Sequence, residues 1–248
     1  LHAYLKARTN LFVHLMRIVS WNCNGALRKK LPQLLTLNAD IYIVQECERP
    51  EGSIDSSYKS WAKGSLWVGS NKHRGLGVFS SNAPLAMLDW DSNGLESFVP
   101  FTIDNKITAL AVWTRHANSP TFRYIGQLWK YLQVHKTRIE SRNMLICGDF
   151  NSNARWDVWD RWWNHSDVVR ELSSIGLESV YHHRTGEQQG KESQPTLFMH
   201  RKLAHPYHID YAFASKDLLQ SSEISVGRAD DWLIFSDHMP IVFDIAGV

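Results

Sequence analysis

The stretch Leu145-Ile146-Cys147-Gly148-Asp149-Phe150-Asn151-Ser152 ends an apolar run in a glycine, a carboxylate and an amide. Asp149 can take a proton and Asn151 can donate to a phosphoryl oxygen, a pairing useful in phosphoester hydrolysis. Spaced two apart, they point to the same side if the extended conformation persists. An Asp at a strand end is by itself more often a turn former. Here, however, other strand-like runs also end in polar groups, near Asn24, at Glu46 and at His116, and Asp237-His238 precedes one. Oxygen donors at Asn24, Glu46, Asp149 and Asp237 suit a hard cation such as Mg²⁺, which usually takes one or two carboxylates from a protein. Any single histidine among the twelve is more often structural. The pair Asp237-His238, with Asp210 as a second carboxylate to orient the imidazole, is harder to dismiss.

These side chains need strands that end together. Arg17 to Trp21 reads as a strand that opens into a turn at Asn22-Cys23-Asn24-Gly25. Leu31, Leu34 and Leu35 then recur at helical spacing, with Pro32 placed in a first turn. Ile41 to Glu46 is a second strand, and the short helical connection predicts a parallel crossover that brings Asn22, Asn24 and Glu46 to one edge. Arg49 to Ser60 reads as a surface loop. Short strands around Leu66 to Val68, Gly77 to Ser80, Pro84 to Trp90, Phe98 to Ile103 and Lys106 to Thr114 suggest a meander, with Asp104-Asn105 as a hairpin turn. Phe122, Ile125, Leu128, Trp129 and Leu132 are spaced for an amphipathic helix.

Trp156, Trp159 and Trp163 would share a helical face, and core packing is the plainer reading of such a stripe. Trp162 lies off it and is the better binding candidate, beside Arg155 and Trp156 as a basic and aromatic pair. Ser166 is placed to cap a helix carrying Val168, Val169, Leu172 and Ile175, with Gly176 as its stop. His183 to Gln194 reads as a polar loop. Thr196 to Met199 is a short strand, and Ile209, Tyr211 and Phe213 alternate with Asp210, which puts that carboxylate on the opposite face. Ile241 to Ile245 is the final strand.

At 248 residues, with 44% hydrophobic and 21% charged residues, the composition is that of a globular chain, and one layered domain can use this length. Residues 1–15 read as an N-terminal extension and 16–248 as the domain. There is no apolar run long enough for a membrane span. A formal net charge of +2 is too small to indicate nucleic-acid binding by itself. Cys23, Cys47 and Cys147 all fall in or beside apolar strand-like segments, without a C-x-x-C pairing, and read as reduced and structural; this favours a cytoplasmic setting. Nothing in the sequence points to a protein partner.

In order along the chain, Ser20-Trp21-Asn22-Cys23-Asn24-Gly25, Gln45-Glu46, Gly148-Asp149-Phe150-Asn151, Ile209-Asp210-Tyr211 and Ser236-Asp237-His238-Met239-Pro240 resemble the endonuclease/exonuclease/phosphatase superfamily, the fold of DNase I, abasic-site endonucleases and inositol polyphosphate 5-phosphatases. The resemblance spans Arg17 to Ile245. It implies an α+β four-layer sandwich, two packed mixed sheets flanked by helices, with the site at one rim. It also implies Glu46 as the principal metal ligand, with Asn24 and Asp237 near the ion and Asn22 in support. Asp149 would orient or deprotonate the attacking water. Asn151 and protonated His238 would stabilise the developing charge, and Asp210 would hold His238. Asn24 stands where many relatives carry Asp, which removes one anionic ligand. The position that supplies Tyr or His elsewhere in the superfamily falls on His116, with Thr114 as competitor.

The expected activity is therefore hydrolysis of a phosphoester by water, dependent on Mg²⁺ or Mn²⁺. Nuclease-type phosphodiester cleavage is favoured, with phosphatase or phosphodiesterase action on small-molecule or lipid phosphoesters as the alternative. A catalytically silent binding module is the remaining, non-enzymatic class, and the complete set of candidate residues argues against it. Arg155-Trp156 and the basic His200-Arg201-Lys202 segment keep nucleic acid among the substrates.

Overall fold

In the computed structural model, which describes residues 15–116 and 121–247, the apolar segments pair into two sheets of six strands each. In chain order the first half comprises β1 (Leu15–Asn22), α1 (Leu27–Leu35), β2 (Ile41–Cys47), α2 (Ser56–Trp61), β3 (Leu66–Asn71), β4 (Arg74–Ser80), β5 (Leu85–Met87), β6 (Phe98–Ile103), β7 (Ile107–Trp113) and α3 (Ile125–Ile139). The second half comprises β8 (Met144–Asp149), α4 (His165–Ser174), β9 (Leu177–Ser179), α5 (Val180–Thr185), β10 (Leu197–Phe198), β11 (Pro206–Tyr207), β12 (Asp210–Ser215), α6 (Lys216–Gln220), β13 (Ser222–Val226), α7 (Ala229–Trp232) and β14 (Ile241–Ala246). The sheet orders are β13-β14-β1-β2-β4-β3 and β5-β6-β7-β8-β12-β9.

The layering follows from period-two alternation. Ile18, Ile43, Val78 and Phe243 of the first sheet meet Phe101, Ala109, Leu145 and Ala214 of the second in one buried core. The other face of the first sheet, with Val19, Trp21 and Tyr42, packs on Leu27 and Leu31 of α1, Tyr58 of α2 and Trp232 of α7. The other face of the second, with Tyr211 and Phe213, packs on Leu128 and Leu132 of α3 and Leu172 of α4. The result is the four-layer α+β sandwich that the resemblance implied.

The same topology gathers strand ends. β1 runs parallel to β2, and β7 parallel to β8, so their carboxyl ends lie at one rim. β12 and β14 run antiparallel to β8 and β1, so their amino ends reach that rim too. Gly148 makes one of these pairings possible: its φ is +152°, and an added Cβ would stand 1.9 Å from the Val112 carbonyl oxygen on β7.

Several expectations change. Leu15 already belongs to β1, so the sheet begins one residue before the expected domain boundary; residues 1–14 lie outside the described residues. Pro32 sits within α1 rather than in its first turn, because Glu48 starts the helix earlier by accepting the backbone N–H groups of Leu27 at 2.7 Å and Arg28 at 3.1 Å. The stretch read as a loop at 49–60 contains α2, capped by Asp55, which accepts the Tyr58 N–H at 3.0 Å. The strands expected as one meander divide between the sheets, β3 and β4 in the first and β5 to β7 in the second. α4 is capped by Asn164 with Asp167 as a capping box, not by Ser166. His183 lies in α5, so the polar loop begins later than expected.

Candidate active site

Asn22 links the two sheets at the gathered rim. Its side-chain N–H donates to Asp149 Oδ2 at 2.9 Å and lies 3.3 Å from Glu46 Oε1. Its Oδ1 accepts the Asn24 backbone N–H at 3.0 Å, which closes the turn after β1, where Asn24, Gly25 and Ala26 all have positive φ. Asn24 in turn donates from Nδ2 to Asp237 Oδ1 at 2.9 Å. The β1 turn thus holds Glu46, Asp149 and Asp237 in one hydrogen-bonded set.

Glu46 reaches that set through a β-bulge. The β2–β4 register shifts between Gln45 and Cys47, and Glu46 takes φ +60°, a left-handed conformation unusual for a non-glycine residue in a strand. The bulge leaves Gln45 buried, where its side-chain N–H donates to Ser20 Oγ at 3.0 Å, and turns Glu46 to the rim. Oε2 of Glu46 is buried and accepts no hydrogen bond, although Arg74 Nη1 stands 3.1 Å away. A buried carboxylate oxygen without a donor is what a cation ligand requires.

On the other side of Asn22, Asp149 is buried and ends β8. Asn151 comes back to it, with its backbone N–H on Oδ1 and its side-chain N–H on Oδ2, both at 2.8 Å. The extended conformation does not persist as expected: Asn151 has φ +46° and the pair meets through a tight turn. Asn151 also donates to the Thr114 carbonyl at 2.9 Å.

Asp210 is the register partner of Asp149 on β12, and its Oδ2 lies 3.0 Å from His238 Nδ1. His238 is anchored on both sides: Trp21 donates its indole N–H to the His238 carbonyl at 2.9 Å, and the His238 N–H donates to Ser236 Oγ at 3.0 Å. Burial raises the Asp149 carboxyl and Asp210 raises it further, to about 7, against the opposing pull of His238 and Asn22. For His238 burial works against the charged ring, but Asp210 and Asp149 outweigh it and raise the imidazole to about 10. Polar atoms of Asp149, Asp210 and His238 lie within 4.8 Å of one another, close enough for a cation among them. His238 Nδ1 already lies 3.0 Å from Asp210, however, and a protonated ring there repels a metal; Glu46 Oε2, which accepts no hydrogen bond, offers the better ligand.

Thr196 carries a positioning role that spacing did not reveal. Fully buried, its Oγ1 accepts the backbone N–H groups of Ile209 at 2.9 Å and Asp210 at 3.0 Å, while its carbonyl accepts the Met239 N–H at 2.7 Å. Arg201, from the basic connector, donates to the carbonyls of Ile234 at 3.0 Å and Phe235 at 3.2 Å, steadying the segment before Asp237.

Among the described residues, the side chains of His116 and Thr114 make no hydrogen bond to the side chains of this cluster. The exposed His116 ring meets Tyr124 edge-on at 6.1 Å, and among the described residues no hydrogen bond or ring contact joins it to Asp149 or His238. Its neighbours 117–120 lie outside the described residues. Thr114 is fully buried, with its hydroxyl turned to the Phe150 carbonyl.

The tryptophan stripe is a correction: only Ala154–Trp156 form a short 3₁₀ turn, and Trp159 is 96% exposed instead of buried. Asp157 captures the His165 N–H at 2.9 Å and Asn164 captures the Val158 N–H at 2.9 Å, which diverts the backbone from a helix. Trp162 is 65% exposed, as its place off the stripe suggested, and Trp156 is also exposed. Arg155 lies with its guanidinium 5.6 Å from the centre of the Tyr207 ring. Beside Asn151 a cavity of about 540 Å³ is lined by Arg123, Tyr124, Trp156, Arg161 and Trp163.

The sequence pattern of the Endonuclease/Exonuclease/phosphatase family matches residues 19–238, which carry every residue of this cluster. The chain belongs to that family. Among solved structures it is similar to a 3'-5' exonuclease from Neisseria meningitidis, with 21% identity and a TM-score of 0.69 over 93% of this chain and 99% of that one. A substituted form of a Neisseria 3' phosphatase bound to a product DNA hairpin shares 20% identity at TM-score 0.67, over 93% of this chain and 99% of that one. An AP endonuclease from Archaeoglobus fulgidus shares 20% at 0.65, over 94% and 100%. At these identities the likeness is one of fold. No curated protein matches the chain in sequence. Family membership makes the chain a phosphoester hydrolase of the nuclease and phosphatase type. None of the helices among the described residues is long and apolar enough to cross a membrane.

Proposed function

We propose that this protein is a divalent-metal-dependent phosphodiesterase of nuclease type, in which water attacks phosphorus. The observation that carries the reading is the Asn22 amide between Glu46 and Asp149, at 3.3 and 2.9 Å. It sets a carboxylate with a buried oxygen that accepts no hydrogen bond beside one whose affinity for protons is raised. Glu46, with Asn24 and Asp237, would hold Mg²⁺ or Mn²⁺; all offer the hard oxygen atoms such ions take. When bound, the ion supplies charge for the phosphoryl oxygens and orients the substrate.

The other groups act directly on water and phosphate. Asp149 receives the proton of the attacking water, and its position is fixed by the amides of Asn22 and Asn151. His238, held cationic by Asp210, donates to the non-bridging oxygens as negative charge accumulates, and Asn151 stands beside them. His116 would reach the leaving oxygen from the Tyr124 side of the site.

Nucleic acid is the favoured substrate because of the cavity beside Asn151. Exposed indole faces and guanidinium groups together suit bases and the phosphates between them. Trp156 lines that cavity, and Arg155 and the exposed Trp162, neighbours of its lining in the chain, are assigned with it to the substrate. The three free, buried cysteines support a reducing, cytoplasmic setting.

A substrate panel with Mg²⁺, Mn²⁺ or chelator tests the reading, spanning duplex, single-stranded, abasic and 3'-phosphorylated DNA, RNA, inositol phosphates and phospholipid head groups. Metal-dependent cleavage concentrated among the nucleic acids is expected. Turnover confined to inositol phosphates or head groups would transfer the assignment to the small-molecule and lipid alternative.

A further inference from the structure

Arg74 occupies the ground that the metal reading assigns to a cation. It begins β4, one strand from the Glu46 bulge, and its Nη1 lies 3.1 Å from Glu46 Oε2. That oxygen accepts no hydrogen bond, so the guanidinium is close but not aligned to donate to it. Its Nε and Nη2 are also the atoms nearest to where a Cβ on Gly25 would stand, each at 4.0 Å. The guanidinium therefore spans Glu46 and the Asn24-Gly25 turn, both of which the metal reading needs. The Arg74 side chain is 56% exposed and the Glu46 side chain 18%, so the arginine can swing out while the carboxylate stays.

A second basic group reaches the same turn. Lys30 Nζ contacts the Cys23 carbonyl and donates to the Asn24 carbonyl at 3.3 Å. Glu46 is thus already paired with Arg74, Lys30 brings a second positive charge to the adjoining turn, and Asn24 adds no negative charge. A dication entering this set meets repulsion until a basic group leaves. An incoming phosphate offers Arg74 an alternative partner, one that its planar fork suits.

We propose that Arg74 competes with the divalent cation for Glu46 and, once displaced, engages the substrate's phosphate, so that metal and substrate bind cooperatively. The proposal rests on the metal reading above and adds to it a residue that couples the two ligands. Coupling of this kind is reciprocal: phosphate tightens metal, and metal tightens phosphate by the same factor.

The test is Mn²⁺ titration of the whole chain, followed by the EPR signal of free Mn²⁺, with and without a cleavage-resistant phosphorothioate dodecamer. Without DNA, Arg74→Gln should bind Mn²⁺ about fivefold more tightly than wild type, the scale of a half-exposed ion pair. Arg74→Lys should lie between the two. The dodecamer should tighten Mn²⁺ in wild type, and clearly less in Arg74→Gln. Equal or weaker Mn²⁺ binding by Arg74→Gln, with wild-type binding still abolished by Glu46→Gln, overturns the competition and leaves the metal reading standing. Absence of Mn²⁺ binding to wild type and Arg74→Gln alike overturns both. A dodecamer effect of equal size in the two proteins overturns the coupling.

Discussion

Asp149 and Asp210 are register partners on adjacent antiparallel strands, so two buried carboxylates face one another across the β8–β12 ladder. His238, 3.0 Å from Asp210, supplies the opposing charge. Replacing Asp149 with Asn should lower turnover by about a hundredfold or more, the scale for losing a proton-transfer group. His238→Ala should cost a similar factor and should also lower stability by about 3 kcal/mol or more, since it leaves buried charge uncompensated. Steady-state rates and denaturant unfolding of the two variants check both effects; mild rate losses in both would favour a catalytically silent module.

The same three groups set the pH profile. Asp149 must be ionised to receive a proton, and burial together with Asp210 raises it to about 7, so activity should rise as pH increases through that value. His238 must stay protonated, and the two carboxylates, outweighing burial, raise it to about 10, so activity should fall above that value. Asp210→Asn removes a negative charge felt by both groups and should move both limbs toward lower pH. Rate profiles of wild type and variant decide it; two unshifted limbs would separate Asp210 from the chemistry.

His116 stands against Tyr124 rather than within the buried cluster. If it protonates the leaving oxygen, His116→Ala should slow an alkyl phosphodiester far more than an activated aryl one, which leaves without help. Equal losses on both substrates would indicate binding alone. No loss on either would remove it from the site.

Trp156, exposed beside Asn151, and the exposed Trp162 carry the preference for nucleic acid. Trp156→Ala and Trp162→Ala should each raise KM for a single-stranded oligonucleotide by roughly tenfold, in keeping with about 1–3 kcal/mol per stacked base. Neither should alter cleavage of a small aryl phosphodiester. Losses of equal size on both substrates would mean that the rings support the fold, not the substrate.

How far this site could be read from the sequence varies with the kind of interaction. Asn22, Glu46 and Asp149 were legible because apolar runs deliver them to strand ends that parallel crossovers bring together, and His238 because it precedes the final strand beside Asp237. Glu46 was legible as a residue but not as a geometry: a straight run from Ile41 to Cys47 gives no sign of the bulge that turns its side chain to the rim. Arg74 and Thr196 were missed because each acts across the fold, through an ion pair and through backbone N–H groups, without a local pattern. The tryptophan stripe misled because its helical spacing is real in sequence, yet Asp157 and Asn164 take the backbone N–H groups first. Helix α2 was hidden by polar residues that its short length and Asp55 cap make tolerable.

Glu46 joins the metal reading to the chemistry, and its replacement by Gln tests that link most directly. Turnover of a phosphodiester substrate should be lost on chelation in wild type, return with Mg²⁺ or Mn²⁺, and fall by about a hundredfold or more in Glu46→Gln at metal concentrations that saturate wild type, with the fold retained by circular dichroism. Wild-type turnover undiminished by chelator, or a Glu46→Gln enzyme as active and as metal-responsive as wild type, would contradict the account.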